Sequence, residues 1–337
     1  MRILSHRWRA SFLAGRCGSF ADGTTVVRPP TPLHTDGART SFCALFVGVL
    51  LLSGCSRLAP QPEENGKPRL VSTAPNLTEC VFAAGAGDLL VGRTESCDYP
   101  AAIAHVPVIG GFATPCLEPL LAVRPTHVLE TVLADPDIRN KLEALHIPVV
   151  HVPCSRLDEV PEAIRQIGAL TGHGTEADRV ASALRAGIAK ARADAVSRTD
   201  HPRVLLLFAP DSPITAGKHA FVSELLELAG GVNIDEGSAS DYYHVSLEWL
   251  LEHDPDIILC LFETHLSDPT VLFEKQTGWK ALSAVRKHRV YTVADLDTVS
   301  RPGPRLLDGL AQLKQVLLFD SSRRPATSAD SWRSRTN

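Results

Sequence analysis

Aromatic residues make up only 6% of this 337-residue chain, and methionine occurs once, at position 1. None of the eight cysteines stands at C-x-x-C spacing, so the pattern of a structural zinc site is missing. No G-x-S-x-G elbow, no Walker sequence and no H-E-x-x-H pair occurs, and no two acids announce acid-base chemistry. Gly172-His173-Gly174-Thr175-Glu176-Ala177 satisfies G-x-G-x-x-A, but it follows a helical stretch instead of a strand and so fails the context of a dinucleotide site. Nothing here proposes an enzyme. An excess of basic charge is missing too: 34 Lys and Arg stand against 38 Asp and Glu, which argues against a nucleic-acid platform. The longest apolar run, residues 42–52, is half of the roughly 20 residues that a membrane-spanning helix needs.

That run has a definite setting. Residues 1–54 carry six arginines and two acids, so 28 basic and 36 acidic residues remain for the rest, which is acidic by eight charges. A positive flank, a short apolar stretch and small residues at its end form the layout of a secretory signal. Leu52-Ser53-Gly54-Cys55 resembles the lipobox of bacterial lipoproteins, in which the chain is cut before the cysteine and the cysteine receives lipid. The expectation is a leader over 1–54, lipidation at Cys55, a tether over 55–67, and an exported, membrane-anchored protein facing the periplasm or the cell exterior. Five cysteines then remain beyond the leader and anchor. At least one must be free, and an oxidising compartment permits a bridge such as Cys97 to Cys116.

From residue 68 onward, strand and helix patterns alternate, which predicts an α/β fold with largely parallel sheets. The first strand covers 69–72, and Asn76 with Glu79 three residues later reads as a helix N-cap with its capping-box partner. An N-terminal lobe is expected over 68–172 and a connecting helix over 173–198, with Val180, Leu184, Ile188 and Ala191 as its apolar stripe. A C-terminal lobe over 199–320 and a disordered tail over 321–337 complete the division. Self-comparison supports two matching halves. Leu117-Glu118-Pro119-Leu120-Leu121 with Pro125 and Leu129 matches Leu247-Glu248-Trp249-Leu250-Leu251 with Pro255 and Leu259 at a constant offset of 130. The run from Glu79 to Gly85 likewise aligns with the run from Glu224 to Gly230. Two such lobes create a cleft, and ligands of open α/β sheets sit beyond the carboxyl ends of the strands.

The scarce aromatics fall where that cleft should be. Tyr99, Phe112, Phe208, Tyr242 and Tyr243 occupy predicted loops or strand ends, and stiff rings suit a flat guest, although peripheral core packing is the alternative for Phe208. Arg301 and Arg305 could reach a ligand's carboxylates or amides, or could staple lobe to lobe. Lys218 and His219 are weaker candidates of the same kind.

Taken in order, Val71-Ser72-Thr73-Ala74-Pro75-Asn76-Leu77-Thr78-Glu79, Asp98-Tyr99-Pro100, Gly110-Gly111-Phe112, Leu117-Glu118, Gly230-Gly231-Val232-Asn233, Leu247-Glu248, Gly278-Trp279 and Arg301-Pro302-Gly303-Pro304-Arg305 resemble the motifs of the cobalamin and ferric-siderophore substrate-binding proteins of ABC importers. The likeness runs over about residues 68–318. It implies two Rossmann-like lobes joined by a single long backbone helix, with the ligand cleft between the lobes. It further implies a metal-chelate ligand, cobalamin first, held by Tyr99, Phe112 and Tyr242, of which Phe112 and Tyr242 stand where the best-known cobalamin binder has tryptophans. Glu118 and Glu248 match the glutamates, one per lobe, that such proteins present to arginines of the permease. The partners expected are an ABC permease with its ATPase, a small metal chelate, and the membrane through the lipid anchor; the protein is expected to be a monomer, with no nucleic acid and no cofactor. Haem or a ferric siderophore is the nearest alternative ligand, with Tyr242, Tyr243 or His244 available to iron. An envelope enzyme that processes chelates is the alternative of a different class.

Overall fold

The computed structural model describes residues 66–235 and 237–323. The leader, Cys55 and most of the tether therefore lie outside the described residues, as does the tail from 324 onward. Among the described residues no helix is long and apolar enough to cross a membrane.

The first half builds β1 (Leu70–Ser72), α1 (Pro75–Ala83), β2 (Leu90–Gly92), the small hairpin β3 (Gly110–Gly111) and β4 (Thr114–Pro115), α2 (Leu117–Ala122), β5 (His127–Glu130), α3 (Pro136–Ala144), β6 (Val149–His151) and α4 (Glu159–Thr171). After the long α5 (Gly174–Val196) come β7 (Arg203–Leu207), β8 (Ile214–Ala216), α6 (Phe221–Ala229), β9 (Val232–Asn233), β10 (Tyr242–His244), α7 (Leu247–His253), β11 (Ile257–Cys260), α8 (Ser283–Arg286), β12 (Val290–Thr292), α9 (Leu296–Ser300) and α10 (Leu306–Arg323).

Each half forms a four-stranded parallel sheet, ordered β2-β1-β5-β6 in the first and β9-β7-β11-β12 in the second. In both, the first strand pairs with the second on one side and the third on the other, so the two lobes share one topology. The backbone repeats in finer detail. Arg124 (φ 45°) and Asp254 (φ 36°), 130 positions apart, both adopt the left-handed conformation just after α2 and α7. His146 (φ 57°) and His288 (φ 52°) do the same before β6 and β12. A non-glycine residue in that region is uncommon, so two matched pairs argue strongly for a duplicated unit.

The strands read as continuous apolar runs because both faces of each sheet are covered. Leu70, Leu129, Leu206 and Leu259 point into one core that runs on through α1, α4, α5, α6 and α10 and is shared by the two lobes. Their neighbours face outward, Val71 and Val128 under α2 and α3, Leu205 and Ile258 under α7 and α8. Helix α5, 23 residues and about 35 Å long, packs on α4 of the first lobe and on α6 and α10 of the second. Its buried stripe is Ala177, Ala181, Leu184, Ile188 and Ala191, with Val180 only half-buried. Small residues dominate because the partner helices approach closely. At Gly187 a Cβ would lie 2.6 Å from a methyl of Leu307.

Three sequence expectations need correction. Helix α1 has Ala74 at its N-cap and Pro75 in its first turn, with no side-chain cap; proline supplies the fixed φ and lacks an N–H that would need capping. Asn76 and Glu79 are therefore inside the helix and free for tertiary contacts. Cys97 is a free, buried thiol contacted by the hydroxyls of Thr78 and Thr94, so it forms no bridge with Cys116. Residues 321–323, placed in the tail, are the last turn of α10.

Candidate functional site

The candidate site is assembled at the carboxyl ends of the strands, on both sides of the cleft between the lobes. Phe112 sits at the tip of the β3–β4 hairpin and is 40% exposed. Its neighbour Ala113 is left-handed (φ 55°) and pinned on both sides: its N–H donates to the Thr73 carbonyl beyond β1 (3.1 Å), and its carbonyl accepts from Ala134 beyond β5 (3.0 Å). The phenyl ring is thus presented by a fixed turn. Tyr99, after β2, is 46% exposed.

On the second lobe, Phe208 follows β7 and meets Tyr242 edge-on, with ring centroids 5.2 Å apart. Tyr242 remains 47% exposed. Surrounding protein, and then the Asp241 charge, push its phenol up to about 12. Tyr243 behaves differently. Residues 242–244, of which Tyr242 and Tyr243 were expected at a loop or strand end, form a strand antiparallel to β8. Successive side chains of a strand point to opposite faces, so Tyr243 packs against the outer core of the lobe and donates its hydroxyl to Asp235 (2.7 Å). It thus lies on the opposite face of the strand from Tyr242.

Arg301 and Arg305 are engaged in a seam between the lobes. Arg305 donates from Nε to Oε2 of Glu79 (2.9 Å), from Nη2 to Oε1 of Glu79 (2.8 Å) and from Nη1 to Asp295 (3.1 Å). Glu79, in α1 of the first lobe, is 2% exposed. The Glu79 hydrogen bonds, foremost, hold the guanidinium well above its ordinary pKa. Arg301 donates to both oxygens of Asp98 (2.6 and 3.2 Å) and pairs with Asp297 (2.9 Å); burial opposes its charge, and these carboxylates outweigh that burial. The Tyr99 ring lies under the Arg305 guanidinium, 4.1 Å from carbon to centroid.

A second crossing joins Arg156, after β6, to the second lobe. Its guanidinium meets Glu224 (3.4 Å), the His219 carbonyl and, at 3.9 Å, Asp241, while the Leu157 N–H donates to Glu224 (2.9 Å). Beside it opens a cavity of about 680 Å³, lined by Asp158, Arg192, Val196 and Glu227 among others and by none of the cleft aromatics. Sequence reading missed Glu79, Asp98, Arg156 and Glu224 as seam residues. The aligned runs 79–85 and 224–230 held the signal, since each begins with one of the two glutamates. Lys218 donates its backbone N–H to Asp235, and His219 contributes only its carbonyl to the seam.

Glu118 and Glu248 are each the second residue of a short helix, α2 and α7, and both are exposed. The Glu248 carboxyl is held below its usual range by its own backbone N–H and by Ser246. Among the described residues, no group of three or more His, Cys, Asp and Glu side chains stands together to hold a metal ion.

Known proteins carry the same architecture. Residues 70–295 match the model of the periplasmic binding protein family. The chain is 26% identical over 311 residues to an uncharacterized ABC transporter substrate-binding lipoprotein of Bacillus subtilis, covering 83% of this chain and 97% of the relative. The crystal structure of the periplasmic vitamin B12 binding protein of Vibrio cholerae superposes with a TM-score of 0.65 at 26% identity, over 75% of this chain and 98% of that one. The apo form of a periplasmic heme-binding protein from Roseiflexus superposes with a TM-score of 0.66 at 26% identity, over 77% and 100%. These relatives are solute-binding proteins, as the lack of catalytic motifs leads one to expect. The chain belongs to the periplasmic binding protein family and is a substrate-binding protein of the ABC-importer type.

Proposed function

We propose that this protein captures a bulky planar metal chelate, cobalamin first, and delivers it to an ABC permease from a lipid anchor at Cys55. The observation that carries the reading is the exposure of Tyr99, Phe112 and Tyr242 at 40–47% in a chain with so few aromatic residues. Stiff rings at the strand ends of both lobes offer large apolar contact area to a flat guest. The edge-on pair of Phe208 and Tyr242, a flat apolar surface with a ring still partly open, supports the cobalamin reading. Haem is the second reading, favoured by the heme-binding relative and by the accessible Tyr99, Tyr242 and His244 side chains. Titrating the purified protein with cyanocobalamin, haemin and a ferric hydroxamate decides among them. Saturable one-to-one binding of cyanocobalamin is expected, and tight binding of haemin alone would replace that reading.

Glu118 and Glu248 serve as the permease contacts. Each projects from the amino end of a helix, where a carboxylate is favoured by the helix dipole, and the two occupy equivalent places in the duplicated lobes. Exposed ion pairs are worth only about 0–1 kcal/mol each, so their role is register and encounter rate. Replacing both with alanine is expected to cut uptake into cells while leaving ligand affinity unchanged. A matching loss of affinity in the purified variant would put these side chains in the pocket instead.

A further inference from the structure

We propose that Arg305 is the positioning residue for Tyr99, so that a ligand-binding ring of the first lobe is held in place by a side chain of the second. Arg305 is fixed in its own plane by three hydrogen bonds, two to Glu79 and one to Asp295. The guanidinium carbon so held lies over the Tyr99 ring, 4.1 Å from its centroid. A cation over a phenol ring attracts its electron-rich face, and an immobilised arginine offers that attraction in one place only. Tyr99 is still 46% exposed, so the ring can meet a guest while Arg305 covers it from the seam side.

Two consequences follow from the chemistry. The cation draws electron density from the ring and makes it a better stacking partner for an electron-rich, conjugated macrocycle such as a corrin or porphyrin dianion. Because Glu79 belongs to the first lobe and Arg305 to the second, the orientation of Tyr99 depends on how the lobes sit against each other at this seam. Ligand affinity is thereby tied to an ion pair that need not touch the ligand. The ligand half of this inference rests on the function proposed above; the positioning half does not.

The chain has four tyrosines, at 99, 242, 243 and 291. Incorporating 3-fluorotyrosine into the full chain should give four fluorine resonances, and Tyr99→Phe identifies the first of them. In Arg305→Lys, which keeps the charge but cannot form the planar fork, the Tyr99 line should shift while the Tyr243 and Tyr291 lines stay. The same variant should bind cyanocobalamin, or haemin if that is what the wild type binds, about 3- to 30-fold more weakly. In a Tyr99→Leu background the Arg305→Lys change should cost no further affinity, whereas a residue that only staples the lobes would cost the same in both backgrounds. Should Arg305→Lys fail to fold, Asp295→Asn removes one charged partner of the guanidinium and should move the Tyr99 line in the same way, by less. An unmoved Tyr99 line, or a moved line with unchanged affinity for a ligand the wild type binds, overturns the proposal. If the wild type binds neither probe, the reading of the ligand fails, and the fluorine line alone still decides whether Arg305 holds Tyr99.

Discussion

The two lobes share strand order, left-handed turn residues and a glutamate at the same place in their first helices, yet those two glutamates are used unequally. Glu79 is almost fully buried and takes a two-pronged hydrogen bond from Arg305. Glu224 is 27% exposed, meets Arg156 at 3.4 Å and borders a cavity of about 680 Å³. The two glutamates make a reciprocal clasp, each lobe offering a carboxylate to an arginine of the other. Burial then made one a rigid joint and left the other open to water, and a charge pair is worth far more to the fold when removing one partner strands the other away from solvent. The aromatics follow the same division. Tyr99 leans on the rigid joint through Arg305, and Tyr242 follows Asp241, which reaches Arg156 at the open one.

This inequality can be broken by experiment. Glu79→Ala is expected to destabilise the protein by about 3–5 kcal/mol in urea unfolding, because it leaves Arg305 charged and poorly paired at a buried seam. Glu224→Ala should cost about 1–2 kcal/mol, the sum of a part-exposed ion pair and the lost acceptor for the Leu157 N–H. Equal losses would show that the two joints are equivalent. The smallest effect concerns pH. Since Tyr242 ionises near 12 in the folded state against about 10 in an unfolded chain, the folded state holds its proton longer, and stability falls as pH rises through that window. Tyr242→Phe should remove one phenolate step from an alkaline absorbance titration and flatten that loss. A phenolate step of Tyr242 near 10 would mean that the ring is less enclosed than its packing against Phe208 indicates.

Much of the fold could be read directly. Apolar runs broken by glycine and proline marked the strands, and the offset of 130 reappears in the equivalence of α2 with α7 and β5 with β11. The errors had local causes. Asn76 and Glu79 had capping-box spacing, but Pro75 starts the helix before them and their side chains serve distant residues, Cys154 and Arg305. Tyr243 looked equivalent to Tyr242 because an exposed loop precedes both, and strand alternation then sent them to opposite faces. The stripe of α5 holds as expected through Leu184, Ile188 and Ala191, with Val180 packed at its edge, and extends one turn further towards the amino end through Ala177 and Ala181.

What the sequence determined alone was the kind of object: two parallel α/β units, a long bridging helix, and a few rings placed where strands end. Those follow from periodicity and composition, which act over a few residues at a time. Only the tertiary structure decided which arginine meets which carboxylate and which ring packs into a lobe's core. Glu79 and Arg305 are 226 positions apart, and no local pattern carries information over that distance; their pairing depends on how the shared core brings the lobes together, and with it the placement of Tyr99.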